Sequence, residues 1–155
     1  MINTSLCYLE KDGAYLLLHR IKKENDVNRD KWIGIGGKFE DKESPEDCVC
    51  REVLEETGLT LLEAEYRGVV TFVSDQYKTE WMHLFTSKSF CGDLKECDEG
   101  VLEWVPKEKI AALPIWEGDK IFLELLEENV PFFSLKLVYE KNTLMQAVLN
   151  GKVIR

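Results

Sequence analysis

The stretch GGKFEDKESPEDCVCREVLEETGL, from Gly36 to Leu59, constrains the fold more tightly than any other part of the chain. Ser44 offers a side-chain acceptor for the free N–H groups of a helix start. Pro45 suits the first helical position, where its missing N–H costs nothing, and Asp47 follows at the spacing of a capping box. Gly58 is a natural left-handed stop. The spacing therefore predicts a helix entered from a glycine-containing loop. Within it Glu52, Glu55 and Glu56 share an arc of about 100°. Cys50, Val53 and Thr57 are expected to point the other way and pack on a sheet.

Carboxylates at i,i+3 and i,i+4 repel by a few tenths of a kcal/mol per pair, roughly. A bare ExxEE in a Glu-rich chain is usually just a solvated acidic face. Here the surroundings argue otherwise. Gly37, Glu43, Arg51, Glu52, Val53, Glu55, Glu56, Gly58 and Leu59 stand in the spacing G-x5-E-x7-R-E-(apolar)-x-E-E-x-G-(apolar). Composition alone supplies that joint match at odds below roughly one in 10⁸ per starting position. A hard divalent cation, which takes oxygen ligands and holds phosphates beside carboxylates, would turn the repulsion into attraction.

This pattern resembles the signature of the Nudix hydrolases, with every fixed position filled. The resemblance implies an α/β fold, a Nudix-type α/β/α sandwich with a mixed β-sheet and the box (37–59) as loop-helix-loop, in a single domain over 1–155. It implies cleavage of a nucleoside diphosphate linked to another moiety, with a divalent metal as cofactor: Mg²⁺, with Mn²⁺ as the alternative. Matched position by position, Glu52, Glu55 and Glu56 are metal-binding carboxylates and the Gly36 carbonyl is a further ligand. Glu43 and Arg51 take an orienting role. Lys38 is placed to neutralise a phosphate oxygen. Glu99, in CDEGVLEW, matches an acid outside the box that completes the metal site or acts as base, although Glu96 and Asp98 stand beside it. A polyphosphate repels nucleophiles, so a carboxylate must take the proton of the attacking water or orient it. Glu52 and Glu99 are the candidates.

The base is a separate question. The order KWIGIGGK, box, DEGVLEWV, PIWEGD is similar to MutT/MutX-type members, which implies hydrolysis of 8-oxo-dGTP to 8-oxo-dGMP and pyrophosphate. That would be nucleotide-pool sanitation in the service of DNA repair. Trp116 offers a flat face for a purine and Asp119 an acceptor for its polar edge. One departure stands out: Ile33 occupies a position where animal homologues carry an asparagine that reads the base, and an aliphatic side chain cannot make that bond. Trp32 is expected to pack at a strand end. Other Nudix substrates (ADP-ribose, a dinucleoside polyphosphate, a broad set of NTPs) and a non-catalytic nucleotide-binding regulator are the alternatives.

Net charge decides against a nucleic-acid polymer as partner: the chain carries −9 with a pI near 4.8, which phosphate backbones repel. A small-molecule nucleoside triphosphate remains compatible, because a metal offsets its charge. The five cysteines lack a CxxC pair, and with two histidines they are expected to be reduced packing thiols and not a zinc site. No apolar run approaches the ~20 residues of a membrane span. The start MINTSLCYLEKDG lacks the pattern of a signal peptide. A cytoplasmic protein, as monomer or homodimer, is expected.

Elsewhere the pattern predicts a hairpin, TSLCYLE and AYLLLHRI about KDG, then a polar loop over KKENDVNRDK. Strands are expected at YRGVVTFVS, EWMHLFTSKSF and VLEWV, a short helix at KEKIAAL, a helix at EGDKIFLELLEEN, and two final strands about Lys141-Asn142. Strands outnumber helices, which suggests a mixed sheet with helices packed on it.

Overall fold

Alternation along the first strand sets the layering. In β1 (Ile2–Lys11) Cys7 and Leu9 enter one apolar cluster, while Tyr8 between them enters another. A strand buried on both faces needs a layer on each side. The first cluster is closed by Val49 and Val53 of α1 (Pro45–Thr57), the second by Phe122 and Leu126 of α2 (Glu117–Glu127). The two helices thus cover opposite faces, giving an α/β sandwich. The structure, a computed structural model, describes residues 1–155 other than Lys23, Asn25 and Val27. Those three belong to the expected polar loop and lie outside the described residues. In that loop Lys22 lies in a bend, and Glu24 and residues 28–30 in turns.

The sheet is mixed. β1 runs parallel to β6 (Glu80–Cys91) and antiparallel to β4 (Ile35–Lys38), and its far end forms the expected hairpin with β2 (Ala14–His19), pairing Glu10 with Tyr15. Next to β2 lie β3 (Trp32–Ile33) and β7 (Val101–Pro106). On the other flank β6 pairs β5 (Thr60–Ser74), which runs parallel to β8 (Phe133–Glu140), followed by β9 (Thr143–Leu149) and the short β10 (Lys152–Val153). KEKIAA forms a 3₁₀ helix.

Two expectations need correction. β5 begins at Thr60, well before Tyr66, because its first half pairs the end of β6 through successive bulges. Cys50 is exposed; the inward face of α1 is Cys48, Val49, Val53 and Thr57. The helix is rolled so that the inner stripe runs through 48, 49, 52, 53, 56 and 57, which carries Glu52 and Glu56 to the edge of the packed face. All five cysteines are free. Among the described residues no helix is long and apolar enough to cross a membrane.

Candidate active site

The helix α1 is fixed at both ends as its sequence dictates. Ser44 Oγ accepts from the Asp47 N–H and the Asp47 carboxylate accepts from the Ser44 N–H, both at 3.0 Å. Gly58 closes the other end at φ 80°. This rigid helix presses against β4, whose glycines permit a close approach. A Cβ on Gly36 would lie 1.8 Å from the Ser5 carbonyl oxygen, and one on Gly37 would lie 2.6 Å from the carboxyl carbon of Glu52. The carboxylate therefore rests directly on glycine backbone.

Arg51 organises the outer half of the cluster. Its Nε and Nη2 donate to the two oxygens of Glu43 at 2.7 and 2.8 Å, and its Nη1 donates to Glu52 at 2.7 Å and Glu55 at 3.2 Å. Nη2 also reaches the Lys38 carbonyl at 3.0 Å, tying the helix to the glycine loop. The bidentate bond to Arg51 and the Glu40 N–H hold the Glu43 carboxyl down at about 2. Glu52 is raised by burial, against the pull of Arg51.

Glu56 forms the inner half. It accepts from the Gly36 N–H at 3.2 Å and shares a hydrogen bond with Glu99, on the opposite side of the site. Burial, followed by the bond and charge of Glu99 and the charge of Glu52, pushes its carboxyl well above the usual range. Glu99 in turn accepts from Arg20 Nη1 at 3.0 Å, and Arg20 Nε donates to the buried Asp26 at 2.6 Å. Glu96 and Asp98 take no part in these bonds, and Lys38 is exposed.

A second group of residues surrounds the start of α2. Trp116, its N-cap, is 8% exposed and packs edge-on with Phe72 and Tyr139. Its Nε1 donates to Asn28 at 2.8 Å, and Lys31 Nζ stands 5.3 Å from its ring centroid. Asp119 is 7% exposed. Its carboxyl makes no hydrogen bond among the described residues, and burial pushes it up to about 8 against the opposing charge of Lys31. Trp32 stacks on His19 with 4.3 Å between centroids, as a packing residue should. Ile33 is half-buried against the α1-side cluster.

The structure thus gathers Gly36, Glu43, Arg51, Glu52, Glu55, Glu56 and Glu99 at one place, and Trp116 with Asp119 at another. Arg20, Asp26, Asn28 and Lys31, which join the two, lie in or beside a polar loop whose composition carries no periodic signal. Only the alternation of acids and bases there hints at ion pairing.

A NUDIX domain model matches residues 2–126. The chain belongs to the NUDIX family. It is 35% identical over 125 residues to the uncharacterized Nudix hydrolase YvcI of Bacillus subtilis, covering 77% of this chain and 75% of the relative. It is 31% identical over 112 residues to an oxidized purine nucleoside triphosphate hydrolase of Danio rerio, covering 71% of each. The crystal structure of a mutator MutT protein from Bacillus halodurans superposes with a TM-score of 0.86 at 25% identity, over 98% of this chain and 99% of the other. The Nudix protein described here is accordingly a MutT-type hydrolase of phosphoric anhydride bonds, acting on small-molecule nucleotides.

Nudix hydrolases use divalent metal ions, and the chemistry of the donor set fits one. The candidates are all oxygens, the ligands hard cations take. Glu56 is pushed toward its neutral form by burial first and then by Glu99 and Glu52, and a cation beside it would oppose the part due to those neighbours. Arg51 draws Glu52 and Glu55 to itself, and among the described residues no group of three acidic, His or Cys side chains is preassembled as a metal cage.

Proposed function

We propose that this Nudix hydrolase is a nucleoside triphosphate diphosphatase for oxidised purine nucleotides, converting 8-oxo-dGTP and water into 8-oxo-dGMP and pyrophosphate. The observation that carries the reading is that one loop region bonds both to the acidic cluster and to Trp116. Arg20 and Asp26 brace Glu99 at the acidic cluster, while Asn28 in the same loop holds the indole of Trp116. Asp119 supports it: the residue is 7% exposed and its carboxyl makes no hydrogen bond among the described residues, which leaves its oxygens open to accept from a ligand. The likeness to the Danio rerio hydrolase agrees.

Glu52, Glu55, Glu56, Glu99 and the Gly36 carbonyl are the candidates to hold the metal, which when bound supplies shielding of the polyphosphate and a more acidic water. Arg51 keeps Glu43, Glu52 and Glu55 from repelling one another and ties them to the glycine loop. In the reaction the water oxygen bonds to phosphorus and the anhydride bond between the α- and β-phosphates breaks. The water's proton passes to a carboxylate, Glu52 or Glu99, and pyrophosphate leaves. Lys38, exposed beside the loop, offsets charge on the phosphates. Trp116 and Asp119 hold the base.

Incubation with Mg²⁺ or Mn²⁺ and a panel of 8-oxo-dGTP, dGTP, dATP, CTP and ADP-ribose, with products resolved by ion exchange, tests the proposal. Monophosphate and pyrophosphate from 8-oxo-dGTP, with weaker turnover of dGTP, are expected. Preferential release of AMP from ADP-ribose would move the enzyme to another substrate class. Binding without turnover of any compound would make it a regulator.

A further inference from the structure

We propose that Lys31 is a specificity-determining residue of the base site: together with Asp119 it selects bases that present a carbonyl beside a ring N–H, as guanine and 8-oxoguanine do, over the adenine edge. The inference rests on the reading of Trp116 and Asp119 as the base site. It answers a problem raised by the sequence, since Ile33 has no group with which to donate to a base carbonyl.

Three observations bring Lys31 into that role. Its ammonium lies over the ring face of Trp116, 5.3 Å from the centroid, on the surface a stacked purine would share. Its charge acts on Asp119 against the burial of that carboxyl, and Asp119 also adjoins Trp116, its N–H donating to the Trp116 carbonyl at 3.0 Å. Its backbone is anchored at both ends: the Lys31 N–H donates to the Asn28 carbonyl at 2.8 Å, and its carbonyl accepts from the Arg20 N–H at 3.0 Å. The stem is thus fixed, while the ammonium rests on a ring face and can exchange that contact for a stronger one.

Donor and acceptor inventories supply the selectivity. An ammonium donates and cannot accept, and a carboxyl retains an accepting oxygen in either protonation state. Side by side they complement an acceptor next to donors. Guanine and 8-oxoguanine present O6 beside N1–H and the 2-amino group. Adenine presents its 6-amino donor where the Lys31 ammonium also donates, a mismatch that holds whichever protonation state Asp119 adopts. Such a mismatch leaves buried polar groups unpaired, the strongest form of discrimination a small site achieves.

The test compares 8-oxo-dGTP with 8-oxo-dATP, which share the oxidised C8 and differ at this edge. For Lys31→Met, which keeps the apolar stem, kcat/KM on 8-oxo-dGTP is expected to fall about 10- to 100-fold, mostly through KM. The value on 8-oxo-dATP should stay within about threefold, and Lys31→Arg should recover part of the loss. Calorimetric binding of 8-oxo-dGMP and 8-oxo-dAMP to the same variants gives the parallel readout without turnover. Equal losses on both bases, or none on either, would overturn the role of Lys31 even with wild-type hydrolysis intact. Wild-type protein that neither hydrolyses the triphosphates nor binds the monophosphates would overturn the underlying base-site reading instead.

Discussion

Arg51 grips Glu43 with two parallel hydrogen bonds, 2.7 and 2.8 Å long, eight residues away along the chain. The pair joins the loop before α1 to the helix itself, and the same guanidinium then reaches Glu52 and Glu55. A lysine could supply the charge but not this fork. Arg51→Lys should therefore lower kcat by about 10- to 100-fold while the protein remains folded, because Glu52 and Glu55 lose their shared anchor. Steady-state kinetics beside a far-UV spectrum check this, and an unchanged kcat would remove Arg51 from the scaffold.

The same pair makes a pH prediction. The folded Glu43 carboxyl is held down at about 2, by the bond from Arg51 first and the Glu40 N–H second. A carboxyl depressed in the folded state stabilises the protein above its unfolded pKa and loses that contribution as pH falls toward its folded one. Glu43→Gln should thus unfold at lower urea than wild type at pH 7. The gap should close between about pH 4.5 and pH 2. A gap independent of pH would mean that the glutamine disturbs packing and not charge.

Much of this site is legible in the amino-acid sequence. The helix limits follow from Ser44, Pro45, Asp47 and Gly58, since caps are local chemistry written in adjacent residues. The acidic cluster is legible because one rigid helix and one short loop carry most of it. The roll of that helix is not: the pattern points Cys50 inward, whereas Cys48 and Val49 are the buried residues, because the face a helix hides depends on the sheet it meets. Strand order is likewise beyond reach, since β1 meets β6 across a long stretch of chain. Arg20, Asp26, Asn28 and Lys31 act through contacts distant in sequence, and a polar loop gives no periodicity by which to find them.

The two glycines of the loop should fail differently. A Cβ on Gly36 meets the Ser5 backbone oxygen at 1.8 Å, and neither strand can yield without breaking the β1–β4 ladder. Gly36→Ala should cost more than about 3 kcal/mol of stability. On Gly37 the Cβ meets only the flexible end of Glu52, at 2.6 Å. Gly37→Ala should leave urea stability within about 1 kcal/mol yet abolish most turnover by displacing that carboxylate. Equal destabilisation by the two would show that Glu52 is not free to move.

Glu56 should show a trade of stability for function. Its carboxyl is raised chiefly by burial and then by Glu99 and Glu52, with the Gly36 N–H alone opposing the shift. Glu56→Gln keeps the shape and removes the charge that burial opposes. In chelated protein at pH 8 the variant should be more stable than wild type by about 1 kcal/mol or more, while turnover falls by at least about 100-fold. Added Mg²⁺ or Mn²⁺ should raise the melting temperature of wild type and not of the variant. Equal metal stabilisation of both would take Glu56 out of the metal-binding set.

Asp119 gives the opposite pH signature to Glu43. Burial lifts its carboxyl to about 8. Between its unfolded value near 4 and that point, roughly, the folded state holds a proton the unfolded chain has released. The unfolded state then binds fewer protons, the slope of stability against pH is negative, and stability declines as pH rises through this window before levelling above it. The contribution is on the order of a few kcal/mol at most. Asp119→Asn cannot ionise, so its stability should change less between about pH 5 and 8, with the variant overtaking wild type toward the alkaline end. Urea unfolding of both proteins across that range measures the difference. Because the base site is proposed to need the acceptor and not the charge, the variant should bind 8-oxo-dGMP only moderately more weakly, by about tenfold or less. Parallel pH curves for the two proteins would show Asp119 ionised throughout, in which case a charge more effective than Lys31 must face it.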